Sequence, residues 1–165
     1  MSQAMAELFR RITLGVYVVG VGGARERRNA FTAAWVVPVS FQPLLLVLSI
    51  NPKHSSYQLL KEGGGFSVNV LRRDQLELAA HFGGPSQTDK LAAVAWHPGK
   101  TGAPLLEDVL ARFECEMTEE HPVGDHVLIV GRVLDGVLLQ PEAEPLIYRE
   151  TGDMDGASMI FPDRF

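Results

Sequence analysis

The order of apolar and polar residues divides the chain into one short helix, a series of strands and two further helices. Residues 4–12 read AMAELFRRI, with Met5, Leu8, Phe9 and Ile12 at i, i+3, i+4 and i+7, which predicts an amphipathic helix. The period then changes. Residues 16–22, 31–40 and 44–50 are rich in valine and other strand formers and are separated by Gly22-Gly23 and Gln42-Pro43, so they predict three strands joined through turns. Between Asn51-Pro52 and Gly63 a short helix is expected, capped by Ser55 or Ser56, with Tyr57, Leu59 and Leu60 facing inward and glycines 63–65 ending it. Residues 66–71 form another strand. Asp74 with Glu77 three positions on opens a helix running to Phe82, and a polar loop leads on to Leu91.

The last third of the chain carries two strands of different character. Over 111–118 the residues alternate, Ala111, Phe113, Cys115 and Met117 on one face and Arg112, Glu114, Glu116 and Thr118 on the other, which predicts a strand whose polar face meets water. Residues 127–134 are apolar apart from Gly131 and Arg132, so both faces of that strand should be covered, one of them most simply by a partner subunit. Strands at this spacing with few helices predict an antiparallel barrel, because closure removes exposed edges. No repeat, linker or low-complexity tract divides residues 1–165, and a single domain is expected.

Charge narrows the partners. Fifteen Lys and Arg stand against twenty Asp and Glu, a net charge of -5, whereas nucleic acid and anionic membranes require a basic field. Neither is expected as a partner. The lone Cys115 can form no intramolecular bridge and no Cys-x-x-Cys pair exists, which suits a reducing cytoplasm. Arg10 and Arg11 follow the first apolar residues instead of preceding them, the wrong order for a signal peptide. Asn51, Arg132 or Asp135 interrupts every apolar stretch before it could cross a bilayer, so a soluble cytoplasmic protein is expected.

Several reaction classes lack their residues. The chain has no His-Glu-x-x-His, no Gly-x-Ser-x-Gly elbow and no phosphate-binding Walker loop, and its glycines at 20–23 do not form a dinucleotide fingerprint. The histidines, His54, His81, His97, His121 and His126, lack helical zinc spacing; His121 and His126 could approach across a turn, but no metal is expected. Two segments suit a planar, phosphorylated ligand instead. Asn51-Pro52-Lys53-His54-Ser55-Ser56 leaves a strand and enters a helix, bringing backbone N–H groups, hydroxyls and an ammonium to one place; a plain helix cap with a solvated lysine is the alternative. Small residues flank Thr32 and Trp35 in Asn29-Ala30-Phe31-Thr32-Ala33-Ala34-Trp35, which lets a flat ring approach the backbone, with tight strand packing as the alternative.

The same residues carry a family resemblance. That 29–35 segment is followed in order by Val39-Ser40-Phe41-Gln42-Pro43, Ser49-Ile50-Asn51, Phe66-Ser67-Val68-Asn69-Val70-Leu71, Asp89-Lys90, Glu114-Cys115, Gly124-Asp125-His126 and Gly131-Arg132-Val133. Together they resemble the flavin reductase-like FMN-binding family over residues 8–148. The resemblance implies a mainly β fold, an antiparallel Greek-key split barrel with a few short helices. It also implies a homodimer with FMN near the subunit interface, and an enzyme that reduces flavin with NADH or NADPH, supplying a partner monooxygenase in some cases.

By the same resemblance Asn29, Thr32, Ala33, Ala34, Trp35 and Ser40 are similar to the flavin-ring and ribityl contacts. Asn51, Lys53, Ser55 and Ser56 are similar to the phosphate segment, Phe82 and Lys90 lie in a loop near the flavin, and His126 serves the nicotinamide donor as the catalytic residue. Hydride transfer between the two cofactors needs stacking and dryness more than an acid or a base, which agrees with the missing nucleophile constellation. A non-enzymatic flavoredoxin-type electron carrier and a flavin-free structural or ligand-sensing barrel are the other readings. Residues 151–165 fit no family pattern and could cover the pocket. Arg25, Arg27 and Arg28, like Arg72 and Arg73, read as solvated turns, with a grip on the extra phosphate of NADPH as the alternative.

Overall fold

A computed structural model describes residues 2–22, 26–85 and 89–162, with side chains from Met5 onward. Helix α1 (Ser2–Phe9) precedes β1 (Tyr17–Gly22), β2 (Arg28–Ala33), β3 (Val36–Ser40) and β4 (Leu45–Ile50). Helix α2 (Ser55–Gly63), β5 (Gly65–Val70) and α3 (Leu76–Gly83) follow, then the hairpin β6 (Trp96–Pro98) and β7 (Pro104–Leu106), and finally β8 (Ala111–Val123) and β9 (His126–Leu138). Seven strands form one antiparallel sheet in the order β2-β1-β5-β8-β9-β4-β3. Its two edges, β2 and β3, are consecutive in the chain and joined only through Ala34 and Trp35. The sheet therefore curls until its edges meet covalently while no strand ladder joins them, a barrel split along one seam. The expected strand 31–40 is thus two strands.

One interior is filled from every strand of this sheet. Phe31 on β2, Val36 on β3, Leu48 on β4, Phe66 on β5, Cys115 on β8 and Ile129 on β9 share a single apolar cluster. Burial of this kind stabilises by roughly 25 cal/mol per Å² of apolar surface. A second cluster lies outside the barrel wall, where Phe82 and Ala79 of α3, Leu91 and Leu106 pack on Val18 and Ala30. Strand β1 is covered on both faces, with Val18, Val19 and Val21 all at 0% exposure. Helix α2 ends at Gly64, whose φ of 72° is the left-handed cap that glycine adopts without strain. Gly63 has no room for a side chain because a Cβ would stand 1.7 Å from the Gly22 carbonyl oxygen. Among the described residues no helix is long and apolar enough to cross a membrane.

Local departures from the pattern have physical causes. Helix α1 stops at Phe9, so Ile12 lies beyond it; Met5 is buried while Leu8, Phe9 and Ile12 are exposed. The cap of α2 is His54, whose Nδ1 accepts from the Ser56 amide at 3.1 Å, in place of Ser55 or Ser56. Asp74 does not cap α3; Gln75 holds that position and Asp74 pairs with Arg72. Glu114 does not meet water. The β8–β9 register shifts between Glu114 and Cys115, and both residues are buried. The Glu114 carboxylate accepts from the amides of Lys100 and Thr101 at 2.9 and 2.8 Å and from the Thr101 hydroxyl at 2.9 Å, fixing the loop between β6 and β7.

Candidate functional site

The seam between β2 and β3 meets the turn that leads into α2. Ser49 N donates to Trp35 O at 3.0 Å, carrying the β3–β4 pairing one residue beyond the strand and placing Trp35 beside the start of that turn. In the turn, Asn51 organises the backbone: its side-chain oxygen accepts from Lys53 N and its carbonyl from His54 N, both at 2.9 Å. The His54 ring lies 4.5 Å from the Phe31 ring, and Asn29 Nδ2 donates to Ser56 Oγ at 2.9 Å, so two contacts stitch β2 to the N-terminus of α2. Burial lowers the pKa of His54, assisted by the Lys90 cation, and keeps its Nδ1 an acceptor.

Opposite this turn stands the β8–β9 hairpin. The His126 ring is 5.1 Å from Trp35, tilted by 47°. Its Nδ1 lies 2.7 Å from the Asp125 carboxylate, which only accepts, so Nδ1 carries the proton and Nε2 is the remaining ring nitrogen. The hydrogen bond from His126, and more weakly Lys53, hold Asp125 below the usual carboxylate range. Lys53 itself is exposed, and its ammonium bonds no group among the described residues. Residues Ala33 and Ala34 leave the β2 backbone uncovered by bulky side chains. Strand β2 is also an edge strand, so half of its peptide groups face away from β1.

A third wall comes from α3 and the turn after it. Thr32 Oγ1 donates to Ala79 O at 2.6 Å, and Phe82 is completely buried. Lys90, only 4% exposed, donates to the carbonyls of Phe82 at 3.1 Å and Gly84 at 2.7 Å; burial lowers its pKa.

The residues singled out in the sequence therefore fall into two sets. Trp35, Lys53, Ser55 and His126 offer surface to a ligand, and Ala33 and Ala34 offer backbone. Asn29, Thr32, Asn51, Ser56, Phe82 and Lys90 hold these groups in place through contacts within the chain. Ser40 joins neither set, because it ends β3 opposite Leu45, four residues along the strand from Val36, roughly 13 Å away at 3.3 Å per residue. The amides of Lys53, His54, Ser56 and Tyr57 are not open at the helix terminus; each bonds within the turn. Lys53 is the exposed cation of this turn.

The basic clusters are also engaged. Arg27 pairs with Glu62 at 2.7 Å, Arg28 donates to Gly102 O at 2.8 Å and lies over Trp96, Arg72 pairs with Asp74 and Asp108, and Arg73 with Glu150. Arg25 lies outside the described residues. His121 bonds Glu119 at 2.8 Å and does not join His126. Among the described residues no cluster of three His, Cys, Asp or Glu side chains could hold a metal ion.

One feature of the site had no clear sequence signal. Trp35 also lines an apolar groove of about 580 Å³ whose walls include Val37, Val39, Leu128 and the stacked rings of Phe9 and Phe161, 4.8 Å apart. The tail thus reaches this groove through Phe161. Phe9 belongs to an unremarkable amphipathic pattern, and its pairing with Phe161 spans the whole chain.

Comparison with known proteins bears on this geometry. The family model described as flavin reductase like domain matches residues 9–156. A Rhizobium meliloti (strain 1021) protein named "Probable flavin reductase" is 36% identical over 131 residues, 79% of this chain; the chain spans 42% of that relative's length. NADH-dependent FMN reductase AsuE2 of Streptomyces nodosus subsp. asukaensis is 35% identical over 150 residues, 85% of this chain and 79% of its own. The crystal structure of BorF, the flavin reductase component of a bacterial two-component tryptophan halogenase, superposes with a TM-score of 0.81 at 31% identity, covering 92% of this chain and 95% of that one. The match runs from the last residue of α1 into the tail and takes in the seam, the α2 turn and the β8–β9 hairpin, and by it the chain belongs to the flavin reductase like domain family.

Proposed function

We propose that this protein is a flavin reductase that takes a hydride from NADH or NADPH and delivers reduced flavin, free or to a partner monooxygenase, in the cytoplasm. The observation that carries this reading is the cradle at the seam: an edge strand with small residues, an exposed lysine whose ammonium makes no hydrogen bond among the described residues, and a Trp35–His126 pair. These residues fit FMN. In this reading Lys53 neutralises its phosphate, the backbone at Ala33 and Ala34 bonds the edge of its ring system, and Trp35 excludes water from one side. Bound FMN supplies the hydride-accepting ring.

The protein's task is then to bind, orient and keep dry. His126 Nε2, held by Asp125 through the opposite nitrogen, offers one polar atom at the open side of the cradle, where it orients the donor's carboxamide. The buried Lys90 keeps positive charge behind the cradle and fixes the α3 end by two carbonyl bonds.

A homodimer completes the proposal. The β3–β4 hairpin exposes Val37 (50%), Val39 (52%), Phe41 (98%) and Leu44 (48%), apolar side chains that a partner subunit would take out of water. Leu128 and Val130 of β9 continue it with half-exposed side chains. Sedimentation should give twice the chain mass at micromolar concentration, and a monomer would remove the dimer from the account. The function is tested by steady-state oxidation of NADH and NADPH with added FMN, alongside FMN titration of Lys53→Ala. Turnover with at least one donor, and an FMN Kd raised roughly tenfold to a hundredfold by the substitution, is expected from the loss of one charge-assisted contact. No turnover with either donor refutes the reductase.

A further inference from the structure

The end of α1 and the turn at Tyr148–Thr151 enclose a second hollow, of about 210 Å³, that the cradle does not use. Its walls are Glu7, Arg10, Arg11, Arg149 and Gly152; with the Asp153 carboxylate that holds Arg10, three guanidinium groups stand against two carboxylates, in a protein whose net charge is negative. Arg11 pairs with Glu7 at 2.8 Å. Arg10 pairs with Asp153 at 2.7 Å and lies 3.7 Å from Glu7. The Nε of Arg10 is fully buried and has no hydrogen-bond partner. Arg149 is exposed, and its side chain has no partner among the described residues. The opposite wall is Gly152, with φ 65° and ψ -131°, which presents backbone where another residue would present a side chain.

The helix dipole accounts for basic residues after the last turn of α1. It does not account for Arg149, contributed by a segment about 140 positions away and left without a partner among the described residues. Planar guanidinium groups lining a small hollow match the oxygens of a phosphate better than a neutral ligand. We propose that this hollow is an anion site that takes a phosphate group, supplied by the adenosine half of the nicotinamide donor.

Chain connectivity supports that source. Phe9 and Tyr148 line the apolar groove that contains Trp35, and their immediate chain neighbours Arg10 and Arg149 line the hollow, so the two cavities are built from the same two segments. The donor part of this inference rests on the proposed reductase reading, whereas the phosphate site itself does not.

Calorimetric titration of the full chain with inorganic phosphate tests the site directly. Arg149→Ala should weaken binding about tenfold, Glu7→Gln should tighten it severalfold by removing the competing carboxylate, and Lys100→Ala, an exposed lysine that lines neither cavity, should leave it unchanged. A raised KM for the donor at constant kcat in Arg149→Ala identifies the dinucleotide as the source; an unchanged KM with weakened phosphate binding assigns the site to a free phosphate monoester. Absence of phosphate binding in the unmodified protein, or binding indifferent to both Arg149→Ala and Glu7→Gln, overturns the proposal. If the protein oxidises neither donor yet binds phosphate as described, the reductase reading fails and the anion site stands.

Discussion

The two sides of the seam are built on opposite principles. On the β2 side, Thr32, Ser56, Phe82 and Lys90 are tied to the fold, and Ser56 and Phe82 are completely buried. On the β3 side, Val37, Val39, Phe41 and Leu44 face outward, and Trp35 itself is 43% exposed. The difference sets a rigid wall against an open one, the division that the proposed cradle requires. Residues that look functional in a motif are shared between the two, some touching ligand and others fixing what touches it.

Substitution should separate the sides. Phe82→Ala, on the closed side, should cost about 3 to 5 kcal/mol by leaving a cavity, read as a lower urea midpoint at unchanged slope. Lys90→Met leaves the carbonyls of Phe82 and Gly84 without their donor and should cost about 1 to 3 kcal/mol, with FMN affinity falling alongside stability. Ser56→Ala should cost about 1 kcal/mol through the lost Asn29 contact. Phe41→Ser, on the open side, should leave chain stability within about 0.5 kcal/mol while shifting the mass toward monomer. Equal stability losses on both sides would erase the distinction.

A pH test sharpens the same point. Burial and the Lys90 cation put the pKa of folded His54 below its ordinary value of 6.5, so the unfolded chain takes up that proton first. The stability due to neutral His54 is present in full above pH 6.5 and declines as pH falls below it toward the folded value. Protonation also removes the acceptor that caps α2. Unfolding free energy measured between pH 7 and 5 should therefore slope less in His54→Gln than in the unmodified chain.

Periodicity made most of the barrel legible, because strands with one buried face must alternate, and the turns carry glycine or proline. It misread β8, where a register shift puts Glu114 and Cys115 inside together, and it ran β2 and β3 into one strand because Ala34 and Trp35 interrupt a ladder without breaking an apolar run. The motif residues of the cradle were visible; their roles were not. Whether a serine holds a ligand or a neighbouring asparagine depends on Asn29 and Ser56 meeting across the fold, which spacing does not encode. The same holds for Arg10 and Arg149, brought to one hollow only after the tail returns to α1.

The central claim, that the cradle presents flavin to a nicotinamide donor beside His126, is tested most directly by adding NADH or NADPH anaerobically to the FMN-loaded protein and following the oxidised-flavin band near ~450 nm. The account predicts that one donor bleaches the band rapidly in the unmodified protein, and that His126→Ala bleaches it more slowly, by about tenfold at subsaturating donor, while retaining its FMN. A band that persists with both donors, or a His126→Ala protein reduced as fast as the unmodified one, would contradict it.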